Sequence, residues 1–191
     1  MTGRSRIAYQ PALDGVRALA VVVVLLFHAE LPGFSGGYLG VSVFFTLSGF
    51  LITSLLLAEH AEQGSISMSA FYSRRVRRLL PASLVCLAAI VLLSAVSDLF
   101  SGVAELRREI VGCLLQISNW VFLAGEGSYQ QIFQGASGSR SPVEHFWSLS
   151  IEEQFYWVWP PTVALLLHRA RTRRSRLIAL GGLTAVFAVA A

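Results

Sequence analysis

Residues 13–30, LDGVRALAVVVVLLFHAE, decide the fold because they set two polar side chains in an otherwise apolar stretch. A bilayer-spanning helix needs about 20 mainly apolar residues, and this stretch with its flanks supplies them. His28 lies eleven positions after Arg17, which is about three helical turns and roughly 16 Å along one face. Charged and titratable groups inside a membrane are costly and by default indicate a functional site. Asp14, three residues before Arg17, is expected to pair with it.

The composition of the whole chain also indicates a membrane protein. Of 191 residues, 54% are hydrophobic and only 14% are charged, which is too apolar for an ordinary soluble domain. The net charge of +4 comes from arginines without any lysine. No basic face on a soluble domain is visible, so no nucleic-acid partner is expected. Cys86 and Cys113 have neither metal-ligand nor disulfide spacing, and no metal site is predicted.

The hydrophobic pattern predicts an all-α polytopic membrane protein with four to five transmembrane helices. They are expected at about 13–32, 37–58, 79–97 and 146–167, with a fifth that starts near 177 and is cut by the chain end. Residues 125–142 are predicted to form a polar loop. Because the last helix is cut, we expect the chain to be part of a larger protein.

The segment 103–124 is ambiguous, and the positions of the arginines help to assign it. They cluster before the first predicted helix, after the second, and after the helix that ends near 167. The clusters are Arg4 and Arg6; Arg74, Arg75, Arg77 and Arg78; and Arg169, Arg171, Arg173, Arg174 and Arg176. The positive-inside rule places all three, and the N-terminus, in the cytoplasm. Residues 98–145 must then begin and end outside, which favours an interfacial or re-entrant helix over a full crossing for 103–124.

The first candidate site is the pair Arg17 and His28. In this topology Arg17 lies near the cytoplasmic surface, within reach of phosphate or lipid headgroups, and His28 lies well across the membrane. Histidine titrates at about pH 6.5, which suits a general base near neutral pH. Both residues are therefore predicted to be catalytic. The alternative is a snorkelling arginine with an interfacial histidine.

Small residues characterise a second motif, GGYLGVSVFFTLSGFLIT at 36–53. Its glycines, with Ser42 and Ser48, form a surface that lets membrane helices approach closely. Helix packing alone is one interpretation. The other is a glycine-loosened backbone that lines a substrate path, in which Ser42 and Ser48 bind substrate.

Arginines characterise the third motif, FYSRRVRRLLPA at 71–82, where Pro81 is expected in the first turn of a spanning helix. Guanidinium groups match phosphate geometry, so Arg74, Arg75 and Arg78 are candidate phosphate ligands. The alternative is a topology anchor.

Carboxylates characterise the fourth motif, HFWSLSIEEQFYWVWPP at 145–161. Glu152 and Glu153 fall early in an apolar, aromatic helix, where a carboxylate needs a partner, water or protonation. Both are predicted to be catalytic. His145 and Tyr156 share the stretch and are candidates for substrate binding. The alternative is a pair of carboxylates exposed at the membrane interface.

Together, the four motifs resemble the acyltransferase 3 family of integral membrane acyltransferases, in the clade that O-acylates bacterial surface polysaccharides. The resemblance covers about residues 9–165. It implies a bundle of about ten transmembrane helices in the plasma membrane. This chain, residues 1–191, would be the N-terminal part of that acyltransferase domain.

The resemblance also implies an activity. An acyl group, typically acetyl, would pass from cytoplasmic acyl-CoA to a sugar hydroxyl at or beyond the outer face. The histidine matching His28 is the implied catalytic group, with the arginine matching Arg17 beside it. The arginines matching Arg75 and Arg78 are implicated too, as is the region matching 152–156.

No bound cofactor is implied, since acyl-CoA is a donor substrate. The implied partners are membrane lipids, a carbohydrate acceptor and, in some members, a fused or separate extracytoplasmic esterase-like domain. One departure from the family pattern is Ser42, which stands where the family usually has aspartate. If that aspartate orients the histidine or relays protons, this change weakens activity or shifts the role elsewhere.

Two other functions fit the same residues. Intramembrane His, Arg and Glu suit a proton-coupled transporter or flippase, or an acyl conduit that serves a separate transferase. An inactive fragment is the other alternative. The 191-residue piece is expected to be inactive alone because half of the implied bundle is absent.

Overall fold

The computed structural model describes residues 10–103, 105–125 and 141–169, with residues 172, 174, 175, 181 and 182. Its described helices are α1 (Pro11–His28), α2 (Leu39–Gln63), α3 (Met68–Val96), α4 (Leu106–Leu114), α5 (Ser118–Ala124) and α6 (Phe146–Arg169). The helices α1, α2 and α3 are long and apolar enough to cross a membrane. This confirms the predicted all-α membrane class.

Several predicted features lie wholly or mainly outside the described residues. They are most of the polar loop, the start of the fifth helix, and Arg4, Arg6, Arg171, Arg173 and Arg176. The chain divides into two compact units, which are residues 1–67 with 157–191, and residues 68–156.

The first two helices lie close to their predicted positions. α1 begins with Pro11 in its first turn, where the missing proline N–H leaves no intrahelical bond unmade. α2 continues to Gln63, five residues beyond the predicted end. It stops at Gly64, which adopts φ of 71° and donates its N–H to the His60 carbonyl at 2.9 Å. Glycine adopts this left-handed conformation without the strain of a side chain.

Two glycines let α1 and α2 touch backbone to backbone. A Cβ atom at Gly37 would lie 2.3 Å from the Val23 carbonyl oxygen, and one at Gly40 would lie 2.6 Å from the Ala20 carbonyl oxygen. The close approach of helices that the second motif predicts is therefore confirmed at these two positions. A Cβ at Gly49 would meet no described atom within 4 Å.

The prediction for α3 was wrong at its start. The helix begins at Met68, eleven residues before the predicted 79, so the arginine cluster is helical and Pro81 lies in the interior. Arginine is a good helix former, and nothing in residues 68–78 breaks a helix. Pro81 cannot donate to the carbonyl of Arg77, but the helix continues through it to Val96.

The ambiguous segment forms two short helices, α4 and α5. Between them Gln116 adopts φ of 57°, a left-handed conformation that is uncommon for a residue with a side chain. The helices have nine and seven residues, so neither can cross a bilayer alone. They share a small core with α3 and the start of α6, in which Leu87, Ile90, Cys113 and Val143 are buried.

α6 matches the predicted helix at 146–167 and extends it by two residues. Its 24 residues give it the length to cross a membrane, but Glu152, Glu153 and Gln154 interrupt its apolar sequence, whereas α1, α2 and α3 each contain an apolar stretch long enough to span. In its second half, the Trp159 indole N–H donates to the Thr53 hydroxyl at 2.8 Å. This hydrogen bond joins α6 to α2.

Candidate functional site

His28 is the last residue of α1, and its ring is oriented by its own helix. The Nδ1 atom lies 2.8 Å from the Val24 carbonyl oxygen, one turn earlier. Since a carbonyl can only accept, Nδ1 carries the proton in this hydrogen bond. In the neutral ring the lone pair is then on Nε2, the nitrogen suited to accept a proton from a substrate. The ring also packs edge-on against Phe27, with centroids 5.2 Å apart.

Arg17 lies in the second turn of the same helix and is half-buried. Because α1 is unbroken from Pro11 to His28, the predicted spacing holds: the two residues are about 20° apart around the axis and roughly 16 Å apart along it. The expected ion pair with Asp14 does not form. A salt bridge does join Arg108 to Glu105 on α4 and the residue before it, at 2.7 Å.

The serines of the second motif lie outside a groove that three of its glycines line. An apolar groove of about 370 Å³ lies between α1 and α2, and Gly33, Gly36, Gly37 and Gly40 are in its wall. Ser42 and Ser48 do not line it: Ser42 is exposed and Ser48 is buried. The groove supports neither serine as a substrate ligand, and both assignments stay predictions.

The second unit brings together two groups that the sequence analysis kept apart, the arginine cluster and the carboxylate motif. The Arg75 guanidinium carbon lies 4.1 Å from the centroid of the Tyr156 ring and 5.8 Å from that of Phe71. Tyr156 and Phe71 are both buried. A guanidinium on an aromatic face is held by cation–π attraction and keeps its edge N–H groups for an anion.

The carboxylates of α6 complete this cluster. The Tyr156 hydroxyl donates a short hydrogen bond to Glu152, one turn away. Glu153 is half-buried and lies close enough to Arg75 for an electrostatic attraction between the two side chains. Its Oε1 atom is buried and has no hydrogen-bond partner among the described residues. We call Arg75, Tyr156, Glu152 and Glu153 the arginine–carboxylate cluster.

The other predicted ligands are more exposed to the surroundings than Arg75 and Tyr156. Arg74, Arg77 and Arg78 are exposed on α3, and His145 is exposed just before α6. Arg75, in contrast, is half-buried and lies against an aromatic pair. Among the described residues, no group of three or more His, Cys, Asp or Glu side chains could hold a metal ion.

The sequence analysis missed a buried polar cluster in the second unit. The Ser118 and Ser150 hydroxyl oxygens are 2.8 Å apart, and both residues are fully buried. The Gln154 side-chain amide donates to the Asn119 side chain at 2.8 Å and to the Gln116 carbonyl at 2.9 Å. Gln116 and Asn119 were visible only as polar interruptions of an apolar segment, and nothing in the sequence indicated their partners on α6.

Comparison with known proteins gives these residues a family context. The model of the family described as "Acyltransferase domain" matches residues 10–191. Staphylococcus aureus (strain MSSA476) SAS0844, provisionally named an O-acetyltransferase, is 38% identical over 174 residues, which are 90% of this chain and 28% of that protein. The O-acetyltransferase OatA of S. aureus (strain NCTC 8325) is 37% identical over 167 residues, which are 86% of this chain and 26% of OatA. This chain therefore spans about a quarter of the length of these curated relatives. No solved structure matches it.

Proposed function

Because the chain belongs to the acyltransferase 3 family, we propose that it forms part of a membrane-embedded O-acetyltransferase. The donor is acyl-CoA, reached from the cytoplasmic side of the plasma membrane, where the N-terminus also lies. The acceptor is a hydroxyl of a cell-surface carbohydrate or a related molecule. The names of OatA and SAS0844 support the acetyl group, and the arginine clusters support the orientation.

The observation that carries the proposal is the placement of His28 at the end of a membrane-length helix, with Nδ1 hydrogen-bonded to Val24. Nε2 accepts the proton of the acceptor hydroxyl, whose oxygen attacks the thioester carbonyl carbon. The new C–O bond forms, the C–S bond breaks, and the CoA sulfur leaves with the proton that His28 carried. His28 thus begins and ends the transfer neutral.

Arginines hold the donor in this proposal. CoA carries phosphates at one end and its thioester at the other, joined by an extended arm. Arg17 lies roughly 16 Å from His28 along α1, which is comparable to the length of that arm. Arg17 therefore binds phosphate while the thioester lies near His28. Arg75 is a candidate phosphate ligand on the contacts of its own unit, since its stacked guanidinium keeps N–H groups for an anion.

The experiment is acetyl transfer by the complete protein in lipid nanodiscs, with His28→Ala compared with wild type. We expect kcat to fall by about 10²- to 10⁴-fold, the usual effect of losing a general base. His168→Ala, an exposed histidine at the end of α6, is the matched control and keeps full activity. Wild-type turnover by His28→Ala would eliminate the catalytic role.

Donor binding is tested separately. Arg17→Ala is expected to raise the Kd for acyl-CoA by on the order of tenfold, since a charge-assisted hydrogen bond is worth about a decade in affinity. Arg77→Ala, an exposed arginine, is the control. If purified wild type consumes acyl-CoA only when a partner protein is added, the chain is an acyl conduit and the proposal is wrong.

A further inference from the structure

The buried polar cluster joins the break between α4 and α5 to one face of α6. Ser150 and Gln154 are one turn apart on that face, about 40° from each other around the axis. Besides the contact between the hydroxyl oxygens, the backbone N–H of Ser118 donates to Ser150 at 3.3 Å. The Gln154 side-chain oxygen accepts from Asn119 at 3.4 Å. These contacts fix α6 both along its axis and around it.

The opposite face of α6 carries Glu152 and Tyr156 of the arginine–carboxylate cluster. These two lie roughly 200° around the axis from Ser150 and Gln154. α6 is therefore fixed on one side by amides and hydroxyls, and on the other side it holds the ring on which Arg75 stacks. A small rotation of α6 at the first face moves the Tyr156 ring at the second.

We propose that Gln154 is a positioning residue of the donor site: it fastens α6 to the α4–α5 break and thereby holds Tyr156 where the Arg75 guanidinium meets CoA phosphate. The inference rests on the proposed function, because the ligand of Arg75 is the phosphate of the donor. Gln154 itself touches neither the donor nor the acceptor. Both protons of its amide are used, one on Asn119 and one on the Gln116 carbonyl.

The left-handed backbone at Gln116 explains why the hydrogen bonds of Gln154 are needed to hold the α4–α5 break. Residues with side chains avoid φ near 57° unless the surroundings hold them there. The Gln154 amide donates to the carbonyl of this same residue. Without that hydrogen bond the turn can relax, and its contacts with α6 relax with it.

The test separates positioning from general destabilisation. In the complete protein, Gln154→Ala is expected to raise the Kd for CoA, measured by direct titration, by on the order of tenfold. This is the loss of affinity expected when the displaced Arg75 no longer makes one hydrogen bond to the phosphate. A variant that is only less stable would have fewer folded molecules and an unchanged Kd. Ser148→Ala, on α6 outside the cluster, is the control and binds CoA as wild type does.

A disulfide cross-link between α5 and α6 tests directly whether Gln154 acts by fastening α6. The Ser118→Cys and Ser150→Cys substitutions put two sulfur atoms on side chains whose hydroxyl oxygens are in contact at 2.8 Å. A small adjustment then brings the sulfur atoms to the disulfide bond length of about 2.05 Å. They are made with Cys86→Ala and Cys113→Ala, so that no other thiol reacts. When Gln154→Ala is added, oxidation is expected to restore the CoA Kd of the wild type and reduction to raise it again.

The possible results distinguish the positioning role of Gln154 from the proposed function itself. Restored affinity in the oxidised form supports a positioning role. An oxidised form that still binds CoA weakly, or a Gln154→Ala protein with the wild-type Kd, would overturn it while leaving the proposed function intact. A wild-type protein with no affinity for CoA would overturn the proposed function and, with it, the role of Gln154.

Discussion

Replacing Gly37 by alanine tests whether the close contact between α1 and α2 positions His28. The added methyl carbon would lie 2.3 Å from the Val23 carbonyl oxygen and 2.7 Å from Phe27 Cβ. Carbon atoms pack at about 3.5–4.0 Å, so the helices must separate by about 1 Å. A backbone carbonyl cannot rotate out of the way, and Phe27 is the residue before His28.

That displacement is expected to lower both the stability of the protein and its turnover. Overpacking a well-packed contact costs about 1–3 kcal/mol, so the Gly37→Ala protein is expected to unfold at a lower temperature. A shift of about 1 Å in a reacting group can lower turnover by about 10²-fold. We therefore expect a larger loss in kcat than in the amount of folded protein.

The assay is acetyl transfer per folded molecule, with thermal unfolding of the same samples in detergent. Gly36→Ala is the matched control, since a Cβ there meets no described atom within 4 Å, and it keeps both stability and turnover. The reasoning is refuted if Gly37→Ala matches Gly36→Ala in both measurements. If only the unfolding temperature falls, the contact stabilises the fold without positioning His28.

Three further predictions concern single side chains. Arg75→Lys loses the stacking of a planar cation on Tyr156, worth about 0.5–2 kcal/mol, and calorimetric titration is expected to show weaker CoA binding. Glu59→Ala leaves the Ser67 N–H without the carboxylate that accepts from it at 2.7 Å, which lowers the free energy of unfolding by about 1–3 kcal/mol in denaturant titrations. Burial raises the pKa of the Cys113 thiol to about 12. Because the thiolate is the reactive form and only about one thiol in 10⁴ is then ionised at pH 8, maleimide labelling of Cys113 in the folded Cys86→Ala protein is expected to be negligible. Cys86 is replaced because it is exposed and would itself be labelled.

Each of these three has a control. Arg77→Lys changes an exposed arginine of the same helix and is expected to leave CoA binding unchanged. Glu62→Ala removes an exposed carboxylate from the end of α2 and is expected to be neutral. Cys113 should label fully after the protein is denatured in detergent. Rapid labelling of the folded protein, or equal effects of a variant and its control, would contradict the corresponding prediction.

The sequence predicted the apolar helices well, because a membrane imposes a length and a hydrophobicity that a single segment displays. α1 and α6 begin and end within a few residues of their predicted limits. The start of α3 was missed because arginines were treated as a flank, although a helix can continue through them into the interface. Pro81 strengthened that error, since proline is common in a first turn.

The pairing of Arg75 with Tyr156 could not be predicted, because it joins residues 81 positions apart whose helices give no local sign of facing each other. The turn at Gln116 was hidden for a different reason. Left-handed backbone is usually indicated by glycine or asparagine, whereas this glutamine is held in place by Gln154 from another helix.

The length of α3 has a consequence for the lipid around it. Twenty-nine residues make a helix of about 44 Å, whereas the hydrocarbon layer of a bilayer is about 30 Å thick. The surplus of about 14 Å equals the length of the first nine or so residues of α3, which include Arg74 and Arg75. Mismatch is absorbed by tilt or by local changes in thickness, so a thinner bilayer exposes more of the arginine turns and a thicker one draws them inward. The depth of Arg75 in the membrane is thus set jointly by the protein and by the chain length of the surrounding lipids.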